Sequence, residues 1–505
     1  MSLAVVFARA NIGIQAPLVC VEAHLSNGLP AFNIVGLPEA AVKESKERVR
    51  SALINSHLEF PDKRITINLA PADLPKSGGR YDLAIAIGIL AASGQLPTDQ
   101  LGNLEFIGEL ALSGEVKRVA AALPGIMAAQ DNDRDIFIPH DNSREAGLLN
   151  RQNSFPARHL LEIISHLQAE TVLEKAEKIR EAKPRFDHDL RDVIGQYAAR
   201  RALIVAAAGA HNLLMVGPPG TEKTMLASRI CTILPPLDER NALETAALRS
   251  IASSDFDMAN WRLPPFRAPH HTASAVALVG GGSSLKVGEI SLAHNGVLFL
   301  DELPEFSPKV LDVLREPLES GSISISRANY QVRLPARFQL LAAMNPCPCG
   351  YLNDSERQCR CSTDKVKKYQ SRVSGPLLDR IDLQVHVPGL SQEDKTRLFS
   401  SGNTQNQSSD TVRESVTDAR ERQYTRANKA NAYLTQSEIR QSCNLVPEDE
   451  DFLKQSMNKL GLSTRTFFRL LKVSRTIADL EGVDKIHRQH LAEAISLRFP
   501  GLFTD

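Results

Sequence analysis

Residues 212–234, NLLMVGPPGTEKTMLASRICTIL, constrain the fold more than any other stretch of this chain. An apolar run feeds a Gly/Pro turn, and the turn opens into a helical pattern. The order fits G-x-x-x-x-G-K-[ST], in which backbone N–H groups cradle phosphates, the Lys meets the terminal phosphates and the hydroxyl meets Mg2+. Gly217, Lys223 and Thr224 stand at their places, with Pro218, Pro219, Gly220 and Thr221 between. The second motif glycine is replaced by Glu222, a carboxylate beside an expected polyanion.

Two further apolar runs end in polar residues. GVLFLDE (296–302) closes on Asp301 and Glu302, and FQLLAAMNP (338–346) closes on Asn345. Three buried strands with polar carboxyl ends are the sequence pattern of a parallel nucleotide-binding sheet. An Asp at such an end suits Mg2+ binding, and the adjacent Glu can orient and deprotonate a water. Asn345 is placed to touch a γ-phosphate or that water.

A chain of 505 residues is long for one core, so two to four domains are expected. Acidic and basic residues balance at 59 each, so binding to nucleic acid has to come from local patches. Nowhere do about 18 uninterrupted apolar residues occur, and MSLAVVFARANIGIQAP lacks the form of a signal segment; a soluble, cytoplasmic protein without membrane partners is expected.

The expected fold is α/β in several parts. Residues 1–165 alternate β-like runs (LAVVFA, FNIVGL, RITINLA, LEFIGEL, DIFIP) with helical stretches such as AAVKESKERVRSALINS and YDLAIAIGILAAS. Residues 166–189 are charged and read as a linker or surface helix. Residues 190–395 carry the strand–loop–helix repeats. The stretch 400–411, SSGNTQNQSSDT, reads as a disordered loop, and 396–505 otherwise have helical period throughout.

DVIGQ (192–196), GPPGTEKT, FRAPHH (266–271), GEISLAHNGVLFLDELPEF (288–306), AAMNPCPCG and SGPLLDRIDL (374–383) together resemble the Mg-chelatase-like branch of AAA+ ATPases. Over its whole length the chain resembles the ComM/YifB family. The resemblance implies an AAA+ P-loop NTPase core, a C-terminal all-α lid, and a homo-hexamer that hydrolyses ATP as a DNA branch-migration helicase in natural transformation and homologous recombination. By position it implies that Ile194, Gly217–Thr224 and Asp301 hold ATP, that Thr224 and Asp301 hold Mg2+, and that Glu302 and Asn345 act at the γ-phosphate. Arg380 in LLDRIDL matches an arginine finger given to a neighbouring subunit, and Arg465 in GLSTRTFFRLL matches a sensor 2 arginine. Related branches carry Ala where this chain has Glu222, which implies that a Cβ fits there without left-handed strain; the acidic side chain is expected to impair ATP binding.

This branch also carries two pore-facing hairpins. Residues 270–291, HHTASAVALVGGGSSLKVGEIS, fit the first, and 320–338, SGSISISRANYQVRLPARF, fit the second. Lys286, Arg327 and Arg333 are then placed to meet the phosphates of branched, single- or double-stranded DNA.

Four of the seven cysteines form C-x-C-x9-C-x-C: Cys347, Cys349, Cys359 and Cys361. Four thiolates so spaced can close a tetrahedral, structural Zn2+ site with no open position. Its place between Asn345 and Arg380 suggests that it stiffens the loop positioning both. A pair of disulfides is the competing reading, disfavoured in a reducing compartment. Cys20, Cys231 and Cys443 read as small buried hydrophobes.

LPKSGGRYDLAIAIGILAAS and GEVKRVAAALPGIMAA resemble the Lon-protease-like (ribosomal S5 domain 2-like) fold, which raises an ATP-dependent protease as a rival. Arg80 stands where the nucleophilic Ser belongs and Leu123 where the Lys belongs, and Ser77 is out of register, so acyl-enzyme chemistry is not expected. Lys43, Lys46, Arg48 and Arg50 form a DNA face or a solvated helix surface. A metal-chelatase motor acting on a protein partner is the other alternative.

Overall fold

The computed structural model describes residues 2–150, 153–180, 186–252, 260–282, 286–326, 331–354, 357–392, 394, 406–461 and 463–498. They form two compact units, and neither is continuous in sequence. Leu243–Trp261 and Ser326–Leu334 group with Met1–Lys183, while Pro184–Ala242, Arg262–Ile325 and Pro335–Asp505 make up the second unit.

The first unit is built on a seven-stranded sheet: β1 (Ser2–Arg9), β2 (Leu18–Ser26), β3 (Ala31–Val35), β4 (Arg64–Ala70), β5 (Leu104–Phe106), β6 (Asp135–Pro139) and β7 (Ser154–Ala157). Their order is β3-β4-β2-β1-β5-β6-β7, antiparallel at β4-β2-β1 and parallel elsewhere. Along β2, Val19, Val21, Ala23 and Leu25 point into the core and Glu22 and His24 point away, the period-2 pattern of a half-buried strand. Helix α1 (Asp82–Ala92) is apolar on every side and is buried on every side. LEFIGEL, read as one run, splits: Leu104–Phe106 joins this sheet and Glu109–Leu110 pairs with Val116–Lys117.

The charged stretch after residue 165 forms neither of its expected structures in full. A helix runs on to Leu167, and residues 173–180 are irregular and held to this unit. Ala176 N donates to Ser154 O at 2.9 Å and Ile179 N to Gly147 O at 2.8 Å. The segment's donors thus find partners along the edge strand β7 and beyond it, and they help cover that edge.

The second unit carries a five-stranded, all-parallel sheet: β8 (Leu213–Val216), β9 (Phe266–Arg267), β10 (Val297–Leu300), β11 (Gln339–Met344) and β12 (Leu383–His386), in the order β9-β10-β11-β8-β12. Strands β8, β10 and β11 are buried along their whole length, which is why each reads as an unbroken apolar run. Helices α2 (Tyr197–Gly209) and α3 (Lys223–Ser228) flank β8 in the chain. The carboxyl-terminal part is helical: α4 (Ser409–Ala427), α5 (Gln436–Ser442), α6 (Pro447–Leu460), α7 (Thr464–Leu480) and α8 (Arg488–Ser496). Sheet and helices share one hydrophobic core. The Ser/Asn/Gln stretch 400–411 ends in order, because Ser408 caps α4 by accepting from Thr411 N; residues 400–405 lie outside the described residues.

A buried carboxylate joins these helices to the sheet. Asp382, just before β12, lies against His211 Nδ1 at 3.4 Å, accepts from Asn212 N at 3.3 Å and pairs with Arg469 of α7. Burial alone would raise its pKa, but His211 and Arg469 outweigh that and hold it well below the usual carboxylate range. Truncation strands the buried His211 and the half-buried Arg469, so Asp382→Ala is expected to lower unfolding stability by about 3 kcal/mol in denaturant titration. A loss near zero would show that the network contributes nothing net.

Candidate nucleotide site

The loop after β8 is shaped by a close backbone approach. A Cβ at Gly217 would meet Val387 O at 2.1 Å, and Val387 N donates to Val216 O at 2.8 Å. Only glycine lets the loop leave the sheet this close to the neighbouring chain. Thr221 Oγ1 donates to Pro218 O at 2.9 Å and closes the turn.

Lys223 opens α3 and is buried. Its Nζ donates to Gly217 O and Pro218 O, both at 2.8 Å, and lies 3.3 Å from Asn345 Oδ1 at the end of β11. Burial depresses its pKa to about 8, against the opposing pull of Asp301 and Glu302. Thr224 Oγ1 donates to Asp301 Oδ2 at the end of β10. Glu302 N donates to Asp301 Oδ1 at 2.9 Å, and Glu302 itself has φ +52. Lys223, Thr224, Asp301, Glu302 and Asn345 are therefore brought together by three adjacent parallel strands. Thr224 and Asp301 present a hydroxyl and a carboxylate side by side, a donor set that suits Mg2+. Ile194 is half-buried, between a 3-10 turn (Leu190–Asp192) and α2.

Glu222 corrects one expectation. It occupies the left-handed region at φ +58, ψ +29, so the position does demand the conformation that glycine adopts freely. Its side chain is exposed.

His271, in FRAPHH, carries no motif role in the sequence. Its Nδ1 lies 3.2 Å from Glu302 Oε2, and its ring sits 4.1 Å from that of His270. The residues are far apart in the chain but follow the adjacent parallel strands β9 and β10.

Arg380 and Arg465 lie elsewhere. They line a cavity of about 320 Å3 with Glu319, Asp379, Asp382 and Arg469, and no phosphate-loop residue is among its walls. Arg380 donates to Glu319 and to Pro376 O, the latter at 2.6 Å. Arg465 is exposed.

Of the hairpin residues, Lys286 is exposed at the start of Lys286–Val287, which pairs antiparallel with Gly280–Gly281. Arg333 is exposed within Gln331–Pro335, which pairs with Ser322–Ser326. Arg327 lies outside the described residues. In the first unit Arg48 is committed to Asp82 at 2.6 Å.

Cys347, Cys349, Cys359 and Cys361 bring all four sulfurs within 4.8 Å of one another, with separations of 3.4, 3.7 and 3.6 Å among the first three. A tetrahedral site with Zn–S near 2.3 Å has sulfurs about 3.8 Å apart, so the set fits a closed thiolate site. Of the other cysteines only Cys443 is fully buried; Cys20 and Cys231 are half-buried. Among the described residues no helix is long and apolar enough to cross a membrane.

A parallel sheet with a phosphate loop, an acidic strand end, a polar strand end beside the Lys and an appended helical domain defines an AAA+ ATPase. Family models agree along the chain: "Magnesium chelatase, subunit ChlI" matches residues 189–395, "Subunit ChlI of Mg-chelatase" matches 21–142 and "Magnesium chelatase, subunit ChlI C-terminal" matches 406–498. The competence protein ComM of Haemophilus influenzae is 53% identical over 503 residues, covering 99% of this chain and 98% of that protein. YifB of Escherichia coli is 50% identical over 498 residues, covering 99% and 97%. The DNA replication licensing factor mcm6 of Dictyostelium discoideum is 28% identical over 173 residues, 34% of this chain and 16% of that one. The chain belongs to the ComM/YifB family of Mg-chelatase-like AAA+ ATPases.

The depressed pKa of Lys223 has a measurable consequence. Phosphate binding favours the ammonium form, so nucleotide affinity is expected to be flat below pH 8 and to fall up to about tenfold per unit above it. A fluorescent ADP analogue titrated from about pH 6.5 to about pH 9.5 reads this directly. Lys223→Arg, which does not titrate there, should lose the slope. A flat profile for the unaltered chain would sink the reading.

Proposed function

We propose that this chain is the subunit of an ATP-driven DNA motor, a homo-hexamer promoting branch migration in the cytoplasm during natural transformation and homologous recombination. The observation that carries the reading is the full-length identity to ComM, in a chain whose Lys223, Thr224, Asp301, Glu302 and Asn345 converge on one loop. The shorter likeness to mcm6, a DNA replication licensing factor by name, points the same way.

In this reading the backbone of Gly217–Thr224 and Lys223 hold the phosphates of ATP, and Thr224 and Asp301 hold Mg2+, which neutralises charge on the β- and γ-oxygens when bound. Glu302 takes a proton from the attacking water, and Asn345 fixes that water or the γ-phosphate. Arg380 and Arg465, sharing a cavity apart from Lys223, face the nucleotide of a neighbouring subunit and stabilise charge that develops only in the transition state. Lys286, Arg327 and Arg333 meet DNA phosphates. The four cysteines hold structural Zn2+.

The Lon-protease-like first domain has no proteolytic role in this reading. Arg80 and Leu123 are both buried, and Arg80 Nη2 donates to Ala121 O at 3.3 Å, so the position of a nucleophile is filled by a guanidinium. The chelatase-named family models favour a second reading, a motor acting on a protein partner in chelatase fashion.

ATPase assays with and without branched or single-stranded DNA separate the two. DNA stimulation supports the helicase reading, and neither binding nor stimulation by DNA would refute it. Glu302→Gln is expected to lower kcat at least about 100-fold with nucleotide binding retained. Arg380→Ala should lower it about 1000-fold or more, again without loss of binding. Glu222→Gly removes a like charge beside the phosphates, so nucleotide affinity should rise a few-fold; the left-handed strain of about 1 kcal/mol that it relieves exists with or without nucleotide and adds to folding stability instead. Equal affinities would refute the impairment.

A further inference from the structure

Gly350 joins two sites that the sequence keeps apart. It is buried, has φ +85, and a Cβ there would lie 2.5 Å from Pro219 Cδ and 3.2 Å from Pro219 Cγ. Pro219 belongs to the phosphate loop; Gly350 follows Cys349 and donates to Cys347 O at 2.9 Å. The first turn of the cysteine loop therefore lies flat against the phosphate loop, at a distance no side chain tolerates.

Two further contacts run in the same direction. Asn345, two residues before Cys347, meets Lys223 Nζ. The helix that follows Cys361, Thr363–Gln370, reaches back: Gln370 Nε2 donates to Pro346 O at 3.0 Å. Among the loop's described residues Cys347 and Gly350 are buried, and the other three thiols are half-buried. Four soft thiolates at these separations suit a tetrahedral Zn2+, which would tie the two ends of the loop together.

We propose that the Cys347–Cys361 loop is a positioning element for the phosphate loop, seated through Gly350, so that metal occupancy at the four thiolates sets nucleotide affinity. This rests on the zinc reading given above. With the thiolates tied, Gly350 holds Pro219 from the side, and the amides after it stay aimed at the phosphates. Released, the loop relaxes, and part of the binding energy goes into ordering it again.

The test uses the full-length protein. Metal content is measured by mass spectrometry, zinc is withdrawn with a thiol reagent and chelator, and binding of a fluorescent ADP analogue is followed without turnover. Zinc removal is expected to weaken nucleotide binding about tenfold, a loss of about 1.4 kcal/mol, with readdition restoring it. Gly350→Ala, which keeps all four thiolates, should weaken binding as much while retaining zinc. Arg360→Ala, exposed between two ligands, should change neither. If the protein neither holds nor takes up zinc, the zinc reading fails and this inference with it. If zinc is bound, and its removal or Gly350→Ala leaves nucleotide affinity unchanged, the inference alone is overturned.

Discussion

The second unit depends on the single charge of Asp382. Buried between the sheet and the helical domain, it is met by His211, by the backbone of Asn212 and by Arg469 of α7. Arg498 adds hydrogen bonds to the carbonyl of Asp382, at 3.0 Å, and to that of Ile381. A buried carboxylate is tolerated only when its partners come from every side. Here the partners come from α2's end, from β8's start and from the lid, so satisfying one charge fixes all three. Arg380 lies two residues before Asp382, and its carbonyl accepts from Asn212 Nδ2 at 2.8 Å. The arginine and the lid helix that carries Arg465 are thus placed by the same network.

The phosphate loop is held by contact more than by charge. Gly217 sits against the Val387 carbonyl, and Gly350 sits against Pro219, so the loop is pinched between two backbones. Glu222 is the strained exception, a non-glycine residue in the left-handed region at the end of that pinched segment. Such a conformation persists only where the surroundings over-determine it. The two glycine contacts supply that constraint.

Much of this was legible in the sequence. Strands β8, β10 and β11 are covered on both faces, so their residues read as unbroken apolar runs, and polar residues at their ends mark the site. The lid helices announce themselves by period. What escaped are properties that residue identity does not encode. The φ of Glu222 is set by the loop around it. His271 reaches Glu302 because β9 and β10 happen to be neighbours, and no spacing in the chain reveals that order. LEFIGEL looks like one strand because its apolar residues continue through Gly108, where hydrogen bonding changes partner. The grouping of Leu243–Trp261 and Ser326–Leu334 with the first unit depends on tertiary contacts alone. The cysteine loop's bearing on Pro219 rests on Gly350, whose close approach no spacing in the chain encodes.

The geometry divides the proposed chemistry in a way that explains why such a chain would assemble. In the proposed reading Lys223, Asp301, Glu302 and Asn345 bind and polarise, but among them only Lys223 offers a positive charge to a phosphate. That Lys also has a depressed pKa of about 8. Arg380 and Arg465, two further cations, line a different cavity. A lone subunit then has a cradle for ground-state phosphates and little to meet the charge that develops on transfer. On this reading the missing cations come from the next subunit, and the Asp382 network that orients them also fixes the lid. Lid position and catalytic competence of the neighbouring site become one variable, which is what a motor needs if hydrolysis in one subunit is to be felt by the next.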